Sequence, residues 1–138
     1  MVWSPLARGR LARPWDDARA TARAETDGDY ADLLYPPSTE AADRAVVDAV
    51  GTIARAHGVS RARIALAWLH RQPVVAAPLV GAGSIAQIDD AVASLDVELT
   101  DDEVRALEAP YTPRGTTSRA SPTNGSWPRS GPASRAWP

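Results

Sequence analysis

The sequence predicts an α/β fold with parallel strands, and three observations carry that reading. Val74 to Val80 is an almost unbroken apolar run of strand length, as expected of a strand covered on both faces, which belongs to parallel sheets in α/β proteins. Helical patterns flank it, opened by capping hydroxyls, and three of the four are closed by Gly or Pro. Val2 and Trp3 open the chain as a second short apolar segment that runs into Ser-Pro-Leu, the pattern of a strand passing into a loop.

Residues 12–38 are expected to be loop, since Pro14, Asp16, Asp17, Gly28, Pro36 and Pro37 punctuate them. Within them Tyr30, Leu33, Leu34 and Tyr35 form a small apolar group able to pack locally. Ser38 or Thr39 can cap a helix over 40–57, with Val46, Val50, Ile53 and His57 on one face and Asp43, Arg44 and Arg55 turned away. Gly58 is its expected stop, and His57 a partner for its C-terminal dipole. Ser60 caps the next helix, 61–71, whose centre IALAWL is apolar all round and so predicted to be buried against more than one neighbour. Pro73 ends it. After the apolar run a helix is expected from Ser84 to about Leu95. Thr100 and Glu103 stand at capping-box spacing for a last helix over 101–109, stopped by Pro110. From residue 113 the chain turns to Ser, Thr, Pro, Gly and Arg without acids or periodicity, the composition of a disordered tail.

The totals narrow the function. The 138 residues suit one domain, and a formal net charge of −2 with 23% charged residues favours neither a nucleic-acid partner nor a membrane surface. Eleven arginines face seventeen acids up to residue 113, while the tail adds four arginines. There is no apolar run long enough for membrane insertion, and the N-terminus lacks a signal-peptide pattern. Cytoplasm is the default location. With no cysteine, disulfides, thiolate catalysis and Cys-ligated zinc are excluded. With no lysine, so are Schiff-base chemistry and a P-loop. His57 and His70 have no carboxylate at ligand spacing, so no metal site is expected. Asp89 and Asp90 are adjacent and point to different helix faces, which is not a catalytic pairing.

Two stretches remain where chemistry could sit. In Trp3-Ser4-Pro5-Leu6-Ala7-Arg8-Gly9 a strand ends in a turn with a hydroxyl, a fixed proline φ and a glycine that permits close backbone approach. Arg8, Arg10 and Arg13 add positive charge. In a parallel barrel such a loop faces the active site; an ordinary turn with solvated arginines reads the same residues equally well. In Val80-Gly81-Ala82-Gly83-Ser84 a strand passes into a helix whose free N–H groups and dipole suit an anion, phosphate above all. A plain strand-to-helix turn is the alternative. Gly81 to Ala86 also fits the G-x-G-x-x-G/A dinucleotide fingerprint. However, Asp96-Val97-Glu98-Leu99-Thr100 leads directly into a capped helix and leaves no room for the remaining strands of a Rossmann half.

Taken together, WSPLARGRL and GVSRARIALAWLHRQPVVAAPLVGAGSIAQIDDAVASLDVELTDDEVRALE resemble the aldo-keto reductases, with the potassium-channel β-subunit-like branch the most similar. The resemblance covers residues 2–112. It implies the last two strands, with their helices, of a (β/α)8 TIM barrel that binds NADP(H), with NAD possible, and reduces aldehydes and ketones. On this resemblance residues 1–112 are the C-terminal portion of an oxidoreductase domain, and about two hundred further residues would precede Val2 in a complete barrel.

Cofactor-binding roles follow position by position. Trp3 resembles the aromatic stacked on nicotinamide. Ser4, Leu6, Arg8 and Gly9 match positions around the pyrophosphate, and Arg13 a further basic contact. Gly81, Gly83 and Ser84 match the turn at the adenosine 2′-phosphate, while Gln87 and Asp90 match the adenine side. The family usually has Ser or Thr at the Gly83 position, Lys or Arg at Ser84, and Asn at Ala91, which leaves the choice between NADP and NAD open. The family's catalytic Asp, Tyr, Lys and His fall on earlier strands, and no residue here takes their place. The expectation is therefore a fragment of an NADP-dependent reductase, inactive alone. The alternatives are an accessory module completing a barrel with another chain, or a small Rossmann-type NAD-binding protein.

Overall fold

The computed structural model describes residues 1–18 and 35–112. The expected tail from residue 113, and Tyr30, Leu33 and Leu34, lie outside them. The order is β1 (Val2–Trp3), a 3-10 turn (Ala7–Ala12), α1 (Trp15–Ala18), a 3-10 turn (Pro37–Thr39), α2 (Glu40–His57), α3 (Arg61–Arg71), β2 (Pro78–Leu79), α4 (Ile85–Val92), a 3-10 turn (Ala93–Asp96) and α5 (Asp101–Glu108).

The helices α2 and α3 form because their ends and faces agree. Glu40 and Asp43 sit in the first turn of α2 and Arg55 and His57 in its last, each matched to the helix dipole. Gly58 takes a left-handed φ of 65° and turns its N–H onto Ala54 and Arg55 carbonyls, a conformation that a Cβ would penalise. The buried stripe of α2 is Val47, Val50, Gly51, Ile53 and Ala54. Val46, expected on that stripe, is only half-buried. Thr39 precedes α2 as expected but does not cap it with its side chain. The hydroxyl donates to Pro36 O and to Asp43 Oδ2, both at 3.0 Å. The Thr39 backbone, at φ −106° and ψ 0°, is not in the extended conformation that turns a capping oxygen onto the first-turn N–H groups.

Ser60 does cap α3, accepting from Arg63 N at 3.2 Å. As IALAWL predicts, Ile64, Ala65, Leu66, Ala67 and Leu69 are all buried. Trp68 is half-buried and its Nε1 donates to Glu108 Oε1 at 2.9 Å. Ile64 and Ala67 join Val50, Ile53 and Ala54 of α2 with Leu99 and Leu107 in one core. Burying each large aliphatic side chain there contributes roughly 1.5–3 kcal/mol. At Gly51 the space a Cβ would take is filled by the Arg61 guanidinium, whose Nη1 donates to Val47 O at 2.6 Å.

The last helix has both halves of its capping box. Glu103 N donates to Thr100 Oγ1 at 3.3 Å, and Thr100 N to Glu103 Oε2 at 2.8 Å. Arg71 ties α3 to this corner through Leu99 O and, at 2.7 Å, Asp101 Oδ1. His57 is held by Glu103 Oε1, 2.6 Å from its Nε2, so its partner is a side chain as well as its own helix end.

The strand predicted over Val74–Val80 is the main departure. Only Pro78 and Leu79 pair, parallel to β1, with Val2 opposite Pro78 and Trp3 opposite Leu79. Val74 is 88% exposed, and Val75 N turns back to Gln72 O at 3.0 Å. An apolar run becomes a buried strand only with neighbours at both edges and cover on both faces. Here β1 offers two residues on one edge, and Pro78 has no N–H to give the ladder. The described residues thus hold a two-stranded parallel ribbon beside packed helices and no closed barrel. The helix expected from Ser84 to Leu95 tightens to 3-10 at Ala93, where the buried Ser94 hydroxyl donates to Ala91 O at 2.6 Å. Among the described residues no helix is long and apolar enough to cross a membrane, and no cluster of three or more His, Asp or Glu could hold a metal.

Candidate functional site

Parallel pairing decides where the two candidate stretches lie. Because β1 and β2 run in the same direction in register, the loop after Trp3 and the turn after Leu79 leave the same end of the ribbon. The sequence-predicted residues Trp3, Ser4, Leu6, Arg8 and Gly9 are therefore brought to the same edge as Gly81, Gly83 and Ser84.

The first loop is strained. Ser4, Ala7 and Arg8 have φ of 52°, 48° and 58°, and Gly9 has 94°. Only the glycine takes this region without a Cβ penalty; each of the others costs about 1–2 kcal/mol. Ala7 N bonds Ser4 O at 2.9 Å, Gly9 N bonds Leu6 O at 2.9 Å, and Arg8 N bonds Ser4 Oγ at 3.3 Å. These tight turns over-determine the backbone. Consecutive strained residues of this kind cluster at ligand-binding sites.

The loop is also stapled from outside. The Arg10 guanidinium lies 4.3 Å from the Tyr35 ring centre and 5.5 Å from that of Trp15, within cation–π range of both. Trp15 is buried, at 5% exposure. Sequence reasoning read residues 12–38 as loop, with Tyr35 able to pack locally, and missed the clamp on Arg10; the signal was Trp15 and Tyr35 in a polar, proline-rich stretch. Arg13 follows the 3-10 turn with extended backbone and an exposed side chain. Trp3 is 60% exposed and offers a flat apolar face at the strand end.

The second stretch is open. Residues 81–89 are all exposed, and a Cβ on Gly81 would meet nothing within 4 Å. Packing therefore does not demand glycine at 81. Ser84 caps α4, accepting from Gln87 N at 3.4 Å. Gly83 N donates to Gln87 Oε1 at 2.7 Å, so Gln87 belongs to the turn itself. Gly83 N and Gln87 N are thus paired within the turn, and the chemistry left at the start of α4 is that of a helix N-terminus, which suits an anionic group such as a phosphate. Asp90, the remaining candidate, turns the other way. Its Oδ2 accepts from Ser60 Oγ and its Oδ1 from Arg63 Nε, both at 2.6 Å.

Two chemical limits complete the description. A Rossmann half would need a further parallel strand after α4, but the described chain continues through the 3-10 turn Ala93–Asp96 to the cap of α5. The Glu103 carboxyl is held below the ordinary glutamate range. The main cause is the Thr100 backbone N–H, followed by the His57 side chain, with burial opposing. It serves the cap of α5 and not this edge.

Comparison with known proteins agrees with the two motifs. Residues 1–111 match the Aldo/keto reductase family. The chain is 43% identical over 112 residues to versiconal hemiacetal acetate reductase of Aspergillus parasiticus, covering 81% of this chain and 32% of that protein. It is 38% identical over 109 residues to aldo-keto reductase AMT2 of Alternaria alternata, covering 79% and 28%. It is 37% identical over 114 residues to the putative aryl-alcohol dehydrogenase C750.01 of Schizosaccharomyces pombe, covering 80% and 32%. The chain thus spans about a third of the length of these curated relatives.

Proposed function

The chain belongs to the aldo-keto reductase family, and from that premise we propose that residues 1–112 contribute part of the nicotinamide-cofactor site of an NADP-dependent reductase acting on aldehydes or ketones. The single observation that carries the proposal is the parallel register of β1 and β2. It gives the strained basic loop and the open glycine turn a common edge, as a long dinucleotide needs. When bound, the cofactor supplies the hydride; the chain's own residues bind and orient it.

In this reading Trp3 stacks on the nicotinamide ring. The loop from Ser4 to Gly9, left-handed at Ser4, Ala7, Arg8 and Gly9, holds the pyrophosphate with Leu6 and Arg8, and Arg13 adds charge. Gly81, Gly83 and Ser84 receive the 2′-phosphate end, and Gln87 borders the adenine; the resemblance gives Asp90 the same side, but its carboxylate is engaged by Ser60 and Arg63. No residue is assigned as proton donor, since the chain has no lysine and none of its tyrosines falls in a sequence context that matches the family's. The chain alone is therefore proposed to be inactive, a fragment of the whole enzyme. Membership of the potassium-channel β-subunit-like branch and a cytoplasmic location are carried with the same proposal.

Titration of the full chain with NADPH and with NADH, followed by tryptophan quenching, tests it. NADPH binding is expected, and Ser84→Arg should shift the NADPH/NADH preference toward NADPH by about 1–2 kcal/mol, the scale of a charge-assisted hydrogen bond. Failure to bind either cofactor would sink the proposal. An unchanged ratio would remove the turn from the 2′-phosphate.

A second reading, a module that completes a barrel with another chain, draws on one feature. Ile85, Ile88, Val92 and Leu95 form a stripe on and beyond α4 and are all more than half exposed. Reductase activity restored on mixing the chain with a barrel lacking these elements would favour it.

A further inference from the structure

We infer that Asp90 is a positioning residue that fastens α4, and with it the turn Gly81–Ser84, to the N-terminus of α3, instead of contacting the adenine itself. The inference rests on reading that turn as a cofactor site, and it changes the role of one residue within that reading.

No residue of Ile85–Val92 is buried. Its apolar side chains, Ile85, Ile88 and Val92, are 77%, 52% and 60% exposed, so apolar packing gives this helix little hold on its neighbours. A helix of eight residues is also too short to persist on its own propensity.

Asp90 supplies a polar hold in their place. Its two oxygens are engaged separately, one by Ser60 Oγ and one by Arg63 Nε, each at 2.6 Å. The two donors are linked to each other as well: Ser60 Oγ accepts from Arg63 N at 3.2 Å while giving its proton to Asp90. One hydroxyl therefore caps α3 and anchors α4 at once. The group is half-buried on both sides, with side-chain exposures of 34% for Arg63 and 27% for Asp90. A charge-assisted pair there is less screened than on the open surface.

The consequence is functional. Ser84, Gln87 and Asp90 ride on one short helix, so a tilt released at Asp90 moves the N–H groups of the turn. Cofactor affinity should then depend on Arg63, which lies on another helix. A direct adenine contact by Asp90 carries no such dependence on Arg63.

The test is hydrogen exchange and NADPH titration on the full chain carrying Asp90→Asn, Arg63→Gln, both together, and Arg63→Lys. Asp90→Asn preserves an acceptor for Ser60 and removes the charge facing Arg63. Both single variants should speed exchange of the Asp89–Val92 amides roughly tenfold and weaken NADPH by a similar factor, the scale of one hydrogen bond to a charged group. The double variant should do no more than either single one. Arg63→Lys should recover part of both losses, and the amides of Val104–Glu108 in α5 should be unmoved.

The inference is overturned if α4 amides of the unaltered chain already exchange at free-peptide rates, or if the two substitutions add. It is overturned equally if Asp90→Asn weakens NADPH while α4 exchange and the Arg63→Gln variant stay unchanged, which is the signature of a direct contact. If the unaltered chain binds no NADPH, the cofactor reading fails, and exchange alone still decides the anchor.

Discussion

The helical corner made by α2, α3 and α5 and the edge made by β1, β2 and α4 solve the same problem differently. In the corner, apolar surface is matched inside the chain: Ile64 and Leu66 are at 0% and 1% exposure, and the helix ends are capped by Gly58, Ser60 and the Thr100–Glu103 box. At the edge, Trp3, Val74, Leu79, Ile85, Ile88, Val92 and Leu95 are all exposed, and the ribbon is two residues deep. The difference separates residues that hold the fold from residues that present a surface. The proposed cofactor contacts fall almost wholly in the second group.

The largest expected effect tests that division directly. Ile64→Ala removes a fully buried side chain from the core and should destabilise the corner by about 2–5 kcal/mol. Ile88→Ala, the same change of chemistry on α4, should alter stability by no more than about 0.5 kcal/mol. Urea titration of both variants, followed by far-UV circular dichroism, gives the comparison. Equal losses would mean that the α4 stripe is buried in solution and that the edge is not a surface.

Arg10 offers a way to sharpen it, because it sits where the two regions meet. Arg10→Ala should cost about 0.5–2 kcal/mol through the lost cation–π contacts with Trp15 and Tyr35. Arg10→Lys should restore part of that, since the contact depends on positive charge over the rings. Tryptophan fluorescence of the variants reads the clamp through Trp15. An Arg10→Lys variant as weak as Arg10→Ala would mean that packing of the side chain, and not its charge, holds the loop.

How much was legible follows the range of each interaction. The Thr100–Glu103 box, the Ser60 cap and the Gly58 stop involve partners within four residues, so local sequence suffices to specify them. Burial of IALAWL was legible too, because an all-apolar helix face admits no other stable outcome in water. The parallel relation of the two strands was expected, but the length of the second was not, because strand extent depends on neighbours that the run itself does not encode. The Thr39 cap failed on its backbone conformation, φ −106° and ψ 0°, which the residue type does not specify. The Arg10–Tyr35 contact and the Asp90 cluster join residues 25 to 30 apart in sequence, and no spacing rule reports such pairs. Of the candidate site, the two motifs were legible, whereas the strain at Ser4, Ala7 and Arg8 was not, since none of these residue types announces a positive φ.

A smaller effect is expected inside the corner itself. Thr100→Ala removes the cap of α5 and should cost about 1 kcal/mol. Thr100→Ser should retain most of the stability because it keeps the hydroxyl that accepts from Glu103 N. Thermal unfolding of the pair checks this, and equal melting temperatures for the Ala and Ser variants would show that the hydroxyl contributes nothing.

The smallest effect is the most specific, and it concerns pH. The Glu103 carboxyl is depressed below the ordinary glutamate value of 4.5. A carboxyl with a lowered folded-state pKa contributes stability that is fully present above the unfolded pKa. That stability is lost as pH falls through the folded value. The loss therefore begins near pH 4.5 and continues below it. Glu103→Gln should be slightly less stable than the unaltered chain at neutral pH. The gap should close on acidification, because protonated Glu and Gln are both neutral acceptors for Thr100 N. Salt then separates the two causes. The first is the Thr100 backbone N–H, a contact inside one helix cap, and His57 comes second. At about 1 M salt the screening length is only about 3 Å, so a mainly ionic effect would largely vanish, while a hydrogen bond within the cap would persist. The acid limb of the unfolding curve should accordingly keep most of its slope in high salt. A limb that flattens there would make the His57–Glu103 pair the dominant tie between α2 and α5.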